Sequence, residues 1–129
     1  MINWLEKNRK ISIIFLVIIA IEIFVISSIP GSGIISTGFN LAWLYHFAVF
    51  FLFNFFLLTS IIGNKKISRK KLILAIIFSL TYAILDEIHQ IFVPLRTASI
   101  IDVLTDFAGI FVCSLIYMRY SWTKRKKLQ

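Results

Sequence analysis

Four stretches of the chain, at about residues 11–29, 41–62, 72–92 and 100–118, are apolar over close to the length a membrane helix needs. A helix rises 1.5 Å per residue, so roughly 18–20 residues cross about 30 Å of hydrocarbon. The third stretch reaches that length only when the charged segment at its end is counted. With 59% hydrophobic residues in 129, a soluble fold has too little polar surface to cover its apolar one. The pattern therefore predicts an all-α polytopic membrane protein with four transmembrane helices, forming a single domain over residues 1–129. Its first partner is the lipid bilayer.

Charge placement orients the bundle. All but Arg96 of the 14 basic residues fall before the first run, between the second and third, or after the fourth. The positive-inside rule makes that side, with both termini, cytoplasmic. The net charge of +8 is then a topology signal rather than a nucleic-acid footprint, because no aromatic stacking platforms interleave with the basic runs. The first run is expected to stay as a membrane helix: it exceeds a signal-peptide core and contains Glu22. Cys113 is the only cysteine, so one chain offers neither a disulfide nor a thiolate cluster. Pro30-Gly31 is expected to stop the first helix and Gly63-Asn64 the second, and Ser99 to cap the fourth.

Leu85-Asp-Glu-Ile-His-Gln-Ile-Phe92 stacks charge on the end of an oily helix. An ionisable side chain inside a membrane needs a partner or a function. Depth brings the polar residues together: Asp86, Glu87, His89 and Gln90 end helix three, Asp102 and Asp106 begin helix four, and His46 lies about one turn into helix two. Glu22, past the middle of helix one, is expected at the same level. At about 100° per residue, Tyr82, Asp86, His89 and Gln90 share a stripe with Glu87 on its flank, while Asp102 and Asp106 continue through Gly109. Arg96, in the turn between the helices, roofs the site or pairs with a carboxylate. Asn54 and Thr59 are expected to bond across helices or to backbone, not to bind a ligand.

Such a site is acidic, with up to five carboxylates against one arginine. Several chemistries fit. Protonated carboxyls are one. A divalent metal held by candidates among His46, Asp86, His89 and Asp102 is another, although the spacing matches no recognised metal motif. If the protein is an enzyme, His89 and Asp86 form the acid–base pair. Glu87 and Asp102 then orient or ligate, Gln90 and Arg96 complete the catalytic set, and His46, Tyr82, Ser99, Asp106 and Glu22 line the substrate side. The cofactor stays open.

Tyr82-Ala-Ile-Leu-Asp-Glu-Ile-His-Gln-Ile-Phe-Val-Pro-Leu-Arg96, followed by Ser99-Ile-Ile-Asp102 and Gly109, resembles the signature of the VanZ-like family of small bacterial membrane proteins. Ser27-Ser-Ile-Pro-Gly31 and His46-Phe47 match it in order. The resemblance places the shared polar residues at His46, Asp86, Glu87, His89, Gln90, Arg96, Ser99 and Asp102. This chain departs from it with Leu95 where many members have Gly, Asp106 where many have Asn, and Trp43 and Val49 where many carry Lys or Glu. The resemblance implies a role at the outer face of the bacterial cell membrane and, for the family's namesake, reduced teicoplanin susceptibility. It supplies no mechanism.

The leading expectation is an outward-facing acidic, histidine-containing site that binds or modifies an envelope lipid, lipopeptide or cell-wall precursor. One alternative is a non-catalytic protein that excludes amphiphilic antibiotics. Another is an oligomeric proton- or cation-coupled transporter using Glu22, Asp106 and Asp102 as a relay.

Overall fold

Each of the four apolar runs is a helix in the computed structural model, which describes residues 2–31, 41–63 and 68–126, with side chains to Thr123. A short α1 (Ile2–Lys7) precedes α2 (Arg9–Ser27), α3 (Leu41–Ile62), α4 (Arg69–Ile91) and α5 (Ile100–Lys126). No strand occurs among the described residues. The last four helices are each long and apolar enough to cross a membrane. Isoleucines and phenylalanines such as Ile14, Ile18, Ile77, Phe78 and Phe111 stay exposed on their outer faces. In lipid that exposure carries no hydrophobic penalty.

Helix ends follow local chemistry. α2 stops at Ser27, two residues short of the expected end. The Ser27 and Ser28 hydroxyls both donate to the Phe24 carbonyl, at 3.1 and 2.6 Å, and Pro30 follows shortly after. Gly63 ends α3 in the left-handed region at φ 55°, as a C-terminal glycine does. Ser99 caps α5 by accepting the Asp102 amide on its hydroxyl at 3.4 Å and the Asp102 and Val103 amides on its carbonyl. α4 begins at Arg69, before the apolar run, and α5 continues to Lys126, well past Met118.

α3 is the central helix. Phe50, Phe53, Leu58, Ile110 and Tyr117 are almost fully buried around it. Its closest neighbour is α5, because Gly109 has no side chain: a Cβ there would collide with the Phe47 carbonyl. One turn deeper, Asn54 ties three helices together. Its Nδ2 donates to the Ile110 carbonyl at 3.1 Å and to Ser114 Oγ at 2.9 Å, and its Oδ1 accepts from Ser79 at 3.1 Å. Thr59 donates back to the Phe55 and Phe56 carbonyls. Both residues serve the fold, as their positions indicate.

The two ends of the bundle differ. At one, Arg9 Nε donates to the Ser60 carbonyl at 2.7 Å, Lys71 Nζ reaches the Ile61 carbonyl at 3.4 Å, and Tyr117 Oη donates to Glu6 at 2.6 Å. α1 thereby buries Glu6 against α5. At the other end, the Gly31 amide donates to the Pro94 carbonyl at 3.1 Å, joining the end of α2 to the α4–α5 turn. All the candidate site residues except Tyr82 belong to this second end, Glu22 lying on the half of α2 nearest to it.

Candidate functional site

Three helices deliver side chains to one buried layer. α3 contributes His46 from just inside its first turns, α4 contributes Asp86, Glu87 and Gln90 from its last two, and α5 contributes Asp102 and Asp106 from its first two. The turn between α4 and α5 is short, so consecutive helix ends stay adjacent.

His46 and Asp106 form the centre. His46 Nδ1 and Asp106 Oδ1 lie 3.0 Å apart, with Asp106 at 0% exposure and His46 at 7%. Glu87, at 4%, completes a group of three whose donor atoms all lie within 4.8 Å of one another. Two neighbours fix its carboxylate. The Ser99 amide donates to Oε2 at 2.8 Å, and Gln90 Nε2 reaches Oε1 at 3.4 Å while also donating to Asp86 Oδ2 at 3.0 Å. Asp86 and Asp102 both act electrostatically on Asp106. Within this acidic layer, Asp106 Oδ2 is buried without a hydrogen-bond partner among the described residues. The same holds for the Tyr45 hydroxyl, whose ring meets His46 edge-on at 5.9 Å.

A cavity of about 320 Å³ opens beside this layer among the described residues. Ile23 and Ile26 of α2 and Val49 and Phe50 of α3 supply its apolar walls. Its polar side is made by Tyr45, His46, Asp86, Gln90 and Arg96. The shape is half pocket, half greasy slot.

The remaining candidates sit elsewhere. His89 turns to α2, where it shares a hydrogen bond with Ser28 Oγ at 2.9 Å and stacks on Phe24 at 4.9 Å. No hydrogen bond joins it to Asp86 among the described residues, so the pair assigned to acid–base work is not assembled. Tyr82 spends its hydroxyl on the Ala20 carbonyl at 2.7 Å and stacks on Phe53. Arg96 lines the cavity, and no carboxylate pairs with it among the described residues. Its Nε and Nη2 donate to the Ile29 and Ile26 carbonyls at 3.1 and 3.0 Å, satisfying the end of α2. Ser99 meets Glu87 through its backbone amide, while its hydroxyl caps α5. Glu22 stays on the exposed face of α2, outside both cluster and cavity lining, although near enough to Tyr45 to act on it electrostatically. Of the metal candidates His46, Asp86, His89 and Asp102, His46 alone belongs to the donor group found among the described residues, where Glu87, also read as a possible ligand, and Asp106 join it. Ser28, Phe24 and Tyr45 were missed as neighbours of the site. The Ser27-Ser28 pair within the matched motif was the available signal.

These features define a class: a multi-pass four-helix membrane protein with a buried imidazole–carboxylate cluster at one end. The VanZ/LLP1 family matches over residues 4–122, nearly the whole chain, and the protein belongs to that family. No curated protein and no solved structure gave a match.

Proposed function

We propose that this protein binds an amphiphile of the cell envelope, a lipid, lipopeptide or lipid-linked cell-wall precursor, in the cavity between α2, α3 and α4. The cavity carries the reading. Its apolar walls suit a hydrocarbon segment, and its polar side offers His46, Asp86, Gln90 and Arg96 to a head group. Arg96 already donates through Nε and Nη2 to two carbonyls, which among the described residues leaves Nη1 to meet an anionic group. In a bacterial membrane the site faces the exterior, because the basic segments belong to the opposite end of the bundle. Binding there is the means by which the protein would lower teicoplanin susceptibility, the phenotype attached to the family's namesake.

The test is native mass spectrometry of the protein released from membranes, compared with an Ile26→Trp variant that fills the cavity from α2. A co-purifying amphiphile on the wild type, lost in the variant, supports the reading. Equal lipid occupancy in both proteins would remove its basis.

A further inference from the structure

We propose that His46, Glu87 and Asp106 bind a divalent transition-metal ion of the Zn²⁺ or Mn²⁺ type. Geometry comes first. One imidazole and two carboxylates from three different helices place their donor atoms within 4.8 Å of one another. Bonds of about 2.0–2.2 Å hold any two donors no more than about 4.4 Å apart, so small side-chain rotations close the group on an ion. An imidazole among oxygen donors favours a transition ion over Mg²⁺ or Ca²⁺, which take oxygen ligands alone.

The second observation is the bare carboxylate oxygen. Asp106 is fully buried, Oδ1 is engaged by His46, and Oδ2 has no partner among the described residues. A buried acceptor without a donor is costly, and the nearby Glu87, Asp86 and Asp102 add charge of the same sign. The group also has its supports. The Ser99 amide and Gln90 hold Glu87 in place, as hydrogen bonds from the surroundings orient metal-binding carboxylates. The cavity reaches His46 and so provides an entry path. Three protein donors leave coordination positions open toward it.

The ion does not depend on what fills the cavity, so the metal alone serves as the probe. Protein purified without a polyhistidine tag is placed in nanodiscs, stripped with chelator and dialysed against Zn²⁺ or, separately, Mn²⁺. Elemental analysis is expected to find about one ion per chain. His46→Ala and Glu87→Gln are expected to weaken binding by more than about tenfold. Cys113→Ser, which removes the only thiol, keeps it. Metal no higher than in empty nanodiscs, or wild-type binding in both site variants, overturns the proposal. Protons would then be what neutralises the cluster.

A readout that survives misfolded variants uses the two histidines of the chain. In ¹⁵N-histidine-labelled wild type, Co²⁺ should shift one imidazole signal strongly, and that signal should persist in His89→Ala. No shifted signal, or its loss in His89→Ala, is equally contrary.

Discussion

His46 Nδ1 on α3 lies 3.0 Å from Asp106 Oδ1 on α5, and neither residue is more than 7% exposed. The contact joins two helices at the layer where Gly109 lets them approach most closely. Truncating one member leaves the other buried without its partner. Asp106→Ala is expected to destabilise the protein by about 3 kcal/mol or more. Asp106→Asn keeps an acceptor for the imidazole and should lose much less. Unfolding midpoints in mixed micelles separate the two; equal losses would mean that shape, not the hydrogen bond, matters at this position.

Leu95 sits at φ 59°, a left-handed conformation that costs an L residue about 1–2 kcal/mol. The residue is 72% exposed and contributes little packing. Leu95→Gly should therefore raise the melting temperature, by roughly 1 kcal/mol of stability. The opposite is expected across the same contact. A Cβ at Gly31 would strike the Leu95 carbonyl, so Gly31→Ala should weaken the joint between α2 and the α4–α5 turn. A stabilised Gly31→Ala protein would show that this joint is not closed in the membrane.

Asn54 makes three hydrogen bonds in the fully buried middle of the bundle. Such bonds in membrane proteins average about 0.6 kcal/mol each, so Asn54→Ala should lose about 1–3 kcal/mol once the cavity is included. Because Asn54 lies outside the cavity lining, amphiphile occupancy in the folded variant is expected to be unchanged. Occupancy that falls as far as in Ile26→Trp would argue that the two layers are coupled.

Much of this architecture was legible in the chain. Residues 41–62 were read with the observed boundaries because an apolar run of membrane length, ended by Gly63-Asn64, leaves few alternatives. Hydropathy could not show where α5 stops, since Arg119 and Thr123 end the oily stretch without ending the helix. Nor could it show α1, which is too short to carry a period and is held by Glu6 against Tyr117. In the site, depth was readable and partnership was not. A 100° step puts Asp86, His89 and Gln90 on neighbouring lines of α4, but it does not say which helix lies opposite each line. His89 therefore met α2, while Glu87, assigned to the flank, met His46 and Asp106. Arg96 was invisible as a cap because the carbonyls it satisfies lie about seventy residues away in sequence.

Topology is checked by labelling from outside the cell. In a Cys113→Ser background, a cysteine introduced by Ile35→Cys should react with an impermeant maleimide, and one introduced by Ile67→Cys should not. The reverse pattern would turn the site toward the cytoplasm and remove any role for it at the outer surface.

The occupant of the cavity is the central claim, and photo-crosslinking reports on it directly. A diazirine-bearing anionic lipid, activated in nanodiscs and mapped by peptide mass spectrometry, should label residues 23–27 and 41–50, the walls that α2 and α3 present to the cavity. Ile26→Trp should abolish that labelling. Crosslinks spread evenly over the exposed faces of α4 and α5, and unchanged by Ile26→Trp, would contradict the account.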